Sequence, residues 1–494
     1  MEETKINSAN KSSVYMMAAG AIVLGIVFDY LFFEKNFGIS VIIFESLAII
    51  ITLLLCVRFK QSYRSVVWLL GLILFFAVMP SIRDNMFLTI LNVLASAGLV
   101  LLATKELLKK HIINFKIPDY ITTIIVTPFS VLRRSLQALS FLTTPAQKSS
   151  TVVLRRVVVG ILIALPFLFI FGALFASADL AFNRLIDSII IFQIPDEFVG
   201  HAFLVFGTFV VALGLFAYIF NIPTQKKSQD TLENDKPEKI SADRSIEIKV
   251  FLWLIAGLFA VFIIFQIAYL FGGIINISEQ DFSYADYARR GFWELLFVSF
   301  FSLVILLIID QYTKSNRSRL TWFRIPGLVL TAEVFIIIIS ALKRLNLYID
   351  AYGLTAQRLY AAGFIIFLAV IFILLAIKLW REKEERFFAF GTLVSMISFL
   401  IILNLLNPDA FIARQNIERF DQTGKIDIHY LGNLSADALP TTLGVYDQLN
   451  DPDKEELTRL IDIKKEWLEK QQVHWQTYNI SRDRALTELK KTGL

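Results

Sequence analysis

Cysteine and histidine are nearly absent from this chain, with one Cys, Cys56, and four His in 494 residues. A single thiol excludes a disulfide framework and any paired-cysteine metal spacing, and it leaves the redox compartment unmarked. The histidines stand apart at positions 111, 201, 429 and 474, so no His-Glu-x-x-His helix exists. Asp427-Ile-His429 is at most half of a metal site, and no metal is expected. A glycine-rich phosphate loop and a Gly-x-Ser-x-Gly elbow are also missing, which leaves ATP-driven or conventional hydrolytic chemistry without support. No cofactor is expected. Charge is thin as well: 18% of residues are Asp, Glu, Lys or Arg, against about 25% in soluble domains.

Hydrocarbon fills the space that charge leaves. Hydrophobic residues make up 56% of the chain, and 45 of them are Phe. Apolar runs recur near the length of about 20 residues that crosses some 30 Å of bilayer. They cover 13–33, 39–58, 65–79, 86–103, 157–176, 199–220, 250–271, 292–309, 325–342, 359–380 and 387–405. The fold class read from this is all-α: a polytopic transmembrane helix bundle of about eleven spans. The first run is too long for a signal-peptide core and lacks a small-residue cleavage site before Asp29, so it reads as an uncleaved span. The third run is short and ends at Pro80.

Lys and Arg in the loops set the orientation, because positive residues stay on the cytoplasmic side. With the N-terminus inside, the inner segments hold 26 Lys and Arg and the outer loops 8. The C-terminus is then extracytoplasmic, and the sequence pI near 9.0 follows from topology, with no nucleic acid implied.

The chain divides into six segments. Residues 1–104 carry four spans, and 105–156 form a cytoplasmic or interfacial amphipathic segment. Within it Phe129, Leu132, Leu136 and Leu139 recur at helical spacing, with Arg133, Arg134 and Gln137 elsewhere on the helix, as in a helix resting on anionic lipid. Residues 157–221 carry two more spans. The segment 222–248 is polar and charged with few large apolar residues, as in a disordered linker. Spans seven to eleven occupy 249–406, and 407–494 read as a small helical tail. There Asn407-Pro408 offers a helix start, Gly424 a stop, Asp453 a second start and Ser481 to Lys491 a third helix, with Leu457, Leu460, Ile461 and Trp467 as an apolar face. The two groups of spans show no internal repeat, which weakens an inverted-repeat transporter reading.

Polar residues gather on the outer side. The candidate outward-facing site comprises Asp179, Asp286, Arg289, Arg290, Glu294, Arg344, Tyr352, Arg358, Asp409 and Arg414. Asp286, Arg290 and Glu294 follow i, i+4, i+8 spacing, which allows an ion ladder on one helix face or a cap that anchors Trp293. Tyr348, Tyr352, Arg358 and Tyr360 make either a clamp for an anionic or glycan ligand or an interfacial aromatic belt. Glu45, Asn92 and Glu333 fall inside spans, where a polar side chain is expensive and serves either function or a buried hydrogen bond. Glu333, Ser340 and Arg344 share one helix face by their i, i+7, i+11 spacing, and that face is expected to look into the bundle.

Several separated phrases carry a family resemblance. They are Phe175-Ala-Ser-Ala-Asp-Leu-Ala-Phe182, Phe265-Gln-Ile-Ala-Tyr-Leu-Phe-Gly-Gly273, Tyr284 to Glu294, Tyr352-Gly-Leu-Thr-x-x-Arg-Leu-Tyr360 and Asn407-Pro-Asp-Ala-Phe-Ile-Ala-Arg414. In the tail, Leu434-Ser-Ala-Asp-Ala438 and Trp475-x-x-Tyr-Asn-x-Ser-Arg482-x-Arg-Ala485 continue the series. Together they resemble the bacterial membrane family of domain of unknown function 4173, a relative of 4153, from about Ser81 to the C-terminus. The resemblance implies a multi-span bacterial membrane protein, and it carries over no catalytic residue.

Two functions remain in view. The first is a receptor-, scaffold- or transporter-like protein of the bacterial cytoplasmic membrane, with an outward-facing polar cavity closed by the tail. Its partners would be membrane lipid and a small-molecule, lipid-linked or envelope ligand, with the oligomeric state left open. The second is a membrane enzyme acting on a lipid-linked or envelope glycan at the outer face. The first outer loop, 34–38, is too short for the acidic catalytic loop such enzymes share, so the non-enzymatic reading ranks first.

Overall fold

The computed structural model describes residues 2–143, 196–220, 244–271, 292–313, 323–381 and 383–492. Helices are the only regular elements among them. In chain order these are α1 (Glu2–Phe32), α2 (Ile39–Arg58), α3 (Val67–Ile82), α4 (Met86–Leu107), α5 (Ile117–Thr143), α6 (Asp196–Ile219), α7 (Arg244–Phe271), α8 (Phe292–Thr313), α9 (Ile325–Tyr352), α10 (Ala356–Trp380) and α11 (Glu385–Leu406). The tail adds α12 (Pro408–Thr423), α13 (Ile428–Asn433), α14 (Leu439–Leu443), α15 (Asp451–Gln471) and α16 (Ile480–Thr492).

Eight of the described helices are long and apolar enough to cross a membrane: α1 from Ser12, α2, α3 with its leading turn from Arg64, α4, α6 from Gly200, α9, α10 and α11. This makes the chain a membrane protein. The cores of α7 and α8 are apolar over the shorter stretches Lys249–Ile264 and Leu295–Asp310. The run at 157–176 lies outside the described residues, as does most of the 222–248 linker. Leu54, Leu254, Ile264 and Leu405 are all more than 60% exposed. An apolar surface of this extent has no place in water and is what lipid tails cover.

Two packed groups make up the membrane part. In the first, α6 lies against α1 and α5, and α3 between α2 and α4. Lipid tails are as apolar as Leu, so helices associate here through close van der Waals fit at small residues. A side chain at Gly25 would fall 2.6 Å from the Val205 carbonyl oxygen, which is what lets α1 and α6 approach at backbone distance. In the second group α9 packs on α7, α8 and α10 around Val334, Ile337, Phe372 and Leu375. Helix α11 joins the groups, with Leu393 and Ile397 packed among Leu69, Phe76 and Leu99 of α3 and α4.

Three boundaries differ from the sequence expectation. The third run does not stop at Pro80, because α3 continues to Ile82 and becomes a 19-residue span with its leading turn. Helix α9 does not stop at 342. No Gly or Pro interrupts it between Leu328 and Tyr352, and Gly353, with its φ of +82, ends it, so Tyr348 and Asp350 sit on helix rather than in a loop. Helix α15 starts at Asp451 because the Asn450 side chain accepts the Asp453 amide at 3.0 Å as its N-cap.

Helix α5 is amphipathic in an unusual sense. Its apolar stripe of Ile121, Ile125, Phe129, Leu132 and Leu136 is exposed, and Thr123, Thr127, Ser135 and Ala138 face the protein. An apolar outside with a small, polar inside fits lipid as the surrounding solvent.

In the tail, Asn407 takes the left-handed conformation (φ 53, ψ 78), which breaks α11 from α12, and Pro408 opens the new helix. Gly424 at φ 68 closes α12. The five tail helices enclose their own core of Ile412, Leu431, Leu457, Ile461, Leu468 and Leu486, joined by Leu354 from the α9–α10 turn.

Candidate functional site

The tail binds one end of the bundle, touching the α1–α2, α3–α4 and α9–α10 turns and the end of α11. At the first, the Ile39 amide donates to the Tyr478 carbonyl at 3.0 Å. A Cβ on Gly38 would lie 2.6 Å from the Thr477 backbone, so only glycine allows this approach. At the third, Asn416 bridges Leu354, accepting its amide at 2.7 Å and donating to its carbonyl at 2.8 Å. Tyr430 Oη accepts the Ala356 amide at 2.7 Å, and Arg419 donates to the last carbonyls of α9 at Asp350 and Ala351.

The α3–α4 turn, Arg83-Asp84-Asn85, is the centre of a buried polar seam. Arg482 Nε donates to Asp84 at 2.5 Å, with its guanidinium 5.2 Å from the Trp467 ring centre. Asp84 accepts the Ala436 amide at 3.1 Å, and Asp437 accepts the Asp84 amide at 2.7 Å, so the two turns exchange backbone donors for carboxylates. Asp437 also accepts the Ser481 hydroxyl at 2.5 Å and faces Arg83 at 3.9 Å. Asn479 donates to the carbonyls of Pro80 and Arg83 at 2.8 and 2.9 Å. Asn85 caps α4 through the Leu88 amide at 2.9 Å and donates to Asp409 at 3.0 Å. Deeper in, Asn92 and Asn404 exchange hydrogen bonds at 2.9 and 2.8 Å between α4 and α11.

Burial sets the electrostatics of this seam. It pushes the Asp437 carboxyl above its usual range, against the pull of Ser481, the Asp84 amide and Arg83. Burial also holds the Lys464 ammonium down at about 8, opposed by Asp84 and Asp409. Lys464 donates to the Gly432 carbonyl at 2.7 Å and to that of Leu434, which satisfies the end of α13. Three carboxylates, Asp84, Asp409 and Asp437, thus meet Arg83, Lys464 and Arg482. Among the described residues no group of three or more His, Cys, Asp or Glu side chains is placed to hold a metal. Asp427 is used as the α13 N-cap, and His429 faces Glu456 at 3.4 Å.

The sequence-derived candidates scatter around this seam. Asp409 is 4% exposed and belongs to it, so it does not line an open outer cavity. It accepts from Asn85 and from the Ser435 amide at 3.2 Å. Arg414 is on the exposed side of α12. Arg344 and Ser340 are buried in α9, as their shared face predicts, and Glu333 is half-buried with one carboxylate oxygen lacking a hydrogen-bond partner among the described residues. Tyr352 and Arg358 do meet. The Arg358 guanidinium lies 3.9 Å from the Tyr348 ring centre and 5.9 Å from that of Tyr352, and it donates to the Gly353 carbonyl. This arrangement staples the α9–α10 turn to itself and presents no open clamp. Glu45 accepts from Ser96 at 2.9 Å, and Asn92 is fully buried against Asn404. Asp179, Asp286, Arg289 and Arg290 lie outside the described residues, and of Glu294 only the backbone is described.

Sequence reasoning missed the cations and amides that complete the seam: Asn85, Asn404, Lys464, Asn479 and Arg482. The available signals were two asparagines at matching depth in separate spans and the tail phrases around Asp437 and Arg482. It also missed the hydrogen bond between Asp29 and His201 at 2.8 Å and the buried Asp310–Lys378 ion pair.

Comparison with known families places residues 70–443 in the family described as Domain of unknown function (DUF4153). The match covers most of the chain, which therefore belongs to that family. It begins within α3 and ends with α14, so it takes in Asp84, Asp409 and Asp437 but stops short of Lys464 and Arg482. No curated protein and no solved structure matches the chain.

Proposed function

We propose that this member of the domain of unknown function 4153 family is a receptor- or scaffold-like protein of the bacterial cytoplasmic membrane. In this reading it has eleven spans, its N-terminus inside and its tail outside as a fixed cap on the outer ends of the helices. The observation that carries it is the seam, where Arg482 pairs with Asp84, Asp437 with Arg83 and the Asp84 amide, and Asp409 with Asn85 across the tail interface. Matched, buried charges fit a permanent joint between two parts of one unit better than a space that must admit a polar substrate. The phrases from Tyr352 to Arg414 and around Asp437 support the finer kinship with family 4173. A capped outer face also leaves membrane lipid and envelope molecules as the ligands within reach.

Labelling with a membrane-impermeant maleimide tests this topology. Native Cys56 is fully buried and provides a quiet background. Cysteine at the exposed Lys470 is expected to react in intact cells, and cysteine at the exposed Arg381 only after permeabilisation. The reverse pattern sinks the reading.

A further inference from the structure

The strongest unassigned feature lies in the first helix group, away from the seam. Helices α1 to α6 surround a cavity of about 440 Å³, within the range of about 300–1,000 Å³ in which proteins hold small molecules. Phe44, Ile49, Leu70, Val100 and Leu215 contribute to a lining that is apolar almost throughout. Its walls are not loosely packed. Gly25 and Gly214 bring α6 to backbone contact with α1 and with α5, and Gly20 brings α1 onto Ile51 of α2. The space is therefore a property of six fixed helices, and a dry gap this large would forfeit dispersion contacts along its entire lining.

One acidic residue, Glu45, breaks the apolar surface, beside the hydroxyls of Thr52, Thr104 and Thr208. Thr52 and Thr104 line the cavity, but each hydroxyl donates to its own helix, to Ala48 and Val100 at 2.7 and 2.8 Å. Glu45 is different, since it is the acidic residue of the lining and Ser96 engages one of its carboxylate oxygens. Along α2 the lining runs from Glu45 to Cys56, about 16 Å at 1.5 Å per residue. The result is an elongated, partly open apolar slot with an acidic residue at one end, set among five spanning helices and α5 and so reached from the lipid phase.

We infer that this cavity is a binding site for a single-chain lipid alcohol, its chain along the α2 slot and its hydroxyl on Glu45. A hydroxyl suits this position because it both donates and accepts, so it can bond the carboxyl whether or not that group carries a proton. A plain alkyl chain would leave the carboxyl without its second partner, which is costly in hydrocarbon. A fatty acid would set a second carboxyl against it. A volume of about 440 Å³ suits one chain better than two, which separates isoprenoid or fatty alcohols from diacylglycerol.

Photolabelling of the purified full-length protein with diazirine-bearing hexadecanol tests the site. Saturable labelling of α2 and α4 peptides is expected, competed by farnesol and by hexadecanol but not by hexadecane, palmitate or dioleoylglycerol. Glu45→Gln, which keeps shape, is expected to weaken hexadecanol labelling about tenfold, the equivalent of one buried hydrogen bond. Ala48→Phe and Val100→Phe, which fill the slot from opposite walls, are expected to abolish it, while Leu54→Phe on the lipid face leaves it unchanged. Unsaturable labelling, or equal competition by hexadecane, would reduce the site to ordinary lipid contact and overturn the inference. Competition by dioleoylglycerol in place of farnesol would overturn the single-chain assignment.

Discussion

The membrane bundle and the C-terminal tail are held together by different forces, although one chain runs through both. In the bundle large apolar side chains such as Leu54 and Leu405 point outward, and the helices meet at glycines and at the Asn92–Asn404 amide pair. In the tail Leu457, Leu468 and Leu486 point inward, and the surface is charged. Lipid removes the hydrophobic drive between helices, so the bundle depends on close fit, whereas water supplies that drive to the tail. The seam lies between the two solvents, and there buried charge is matched group by group.

The contrast yields predictions that can break it, beginning with the largest effect. Arg482→Ala leaves Asp84 buried without its cation and is expected to cost about 3–5 kcal/mol of tail docking. Limited proteolysis in detergent reads this as early cleavage of the tail, and an intact tail would remove the seam from the account. Leu457→Ala in the tail core is expected to cost about 2–5 kcal/mol, and Leu54→Ala on the lipid face less than about 0.5 kcal/mol. Equal melting shifts for the two would erase the distinction between the solvents. Asn92→Leu breaks the amide pair with Asn404 and is expected to cost about 0.6–1.7 kcal/mol, the range for hydrogen bonds between membrane helices. A double replacement of both by Leu should cost less than the sum of the singles.

A further contrast is a pH dependence. Lys464 has a folded value of about 8 against an ordinary 10.5, so the unfolded tail binds its proton more tightly. Folding of the tail is then expected to strengthen as pH rises from about 8 towards 10.5, and to lack this contribution to the slope below about 8. Comparing wild type with Lys464→Met isolates the group from other titrations, including that of Tyr430, which burial pushes up. Identical slopes in that window would remove Lys464 from the seam electrostatics.

Much of the helix pattern was legible in sequence, because each span is a local property of some twenty consecutive residues. Asn407-Pro408 and Gly424 were readable as helix boundaries for the same reason, since left-handed backbone and fixed proline geometry act within one or two residues. The end of α9 was misplaced because the apolar run stops at Leu342, yet nothing from Leu328 to Tyr352 breaks the helix. The candidate site was less legible. Asp409 and Arg414 come from one phrase, but the turn of α12 sends one into the seam and leaves the other exposed. Tyr352 and Arg358 were correctly grouped, and only their geometry reveals that the cation is already held by Tyr348.

The sequence by itself determined that the chain is helical, how long its apolar runs are and where they break, because hydrophobic length and backbone punctuation act over short distances. Only the tertiary structure decided which polar groups are spent on cohesion. Asp84 and Arg482 stand 398 positions apart, and nothing local to either signals the other. Their pairing, like the slot around Glu45, exists only because helices from distant parts of the chain are brought together, and the energy of a buried charge depends on that neighbourhood.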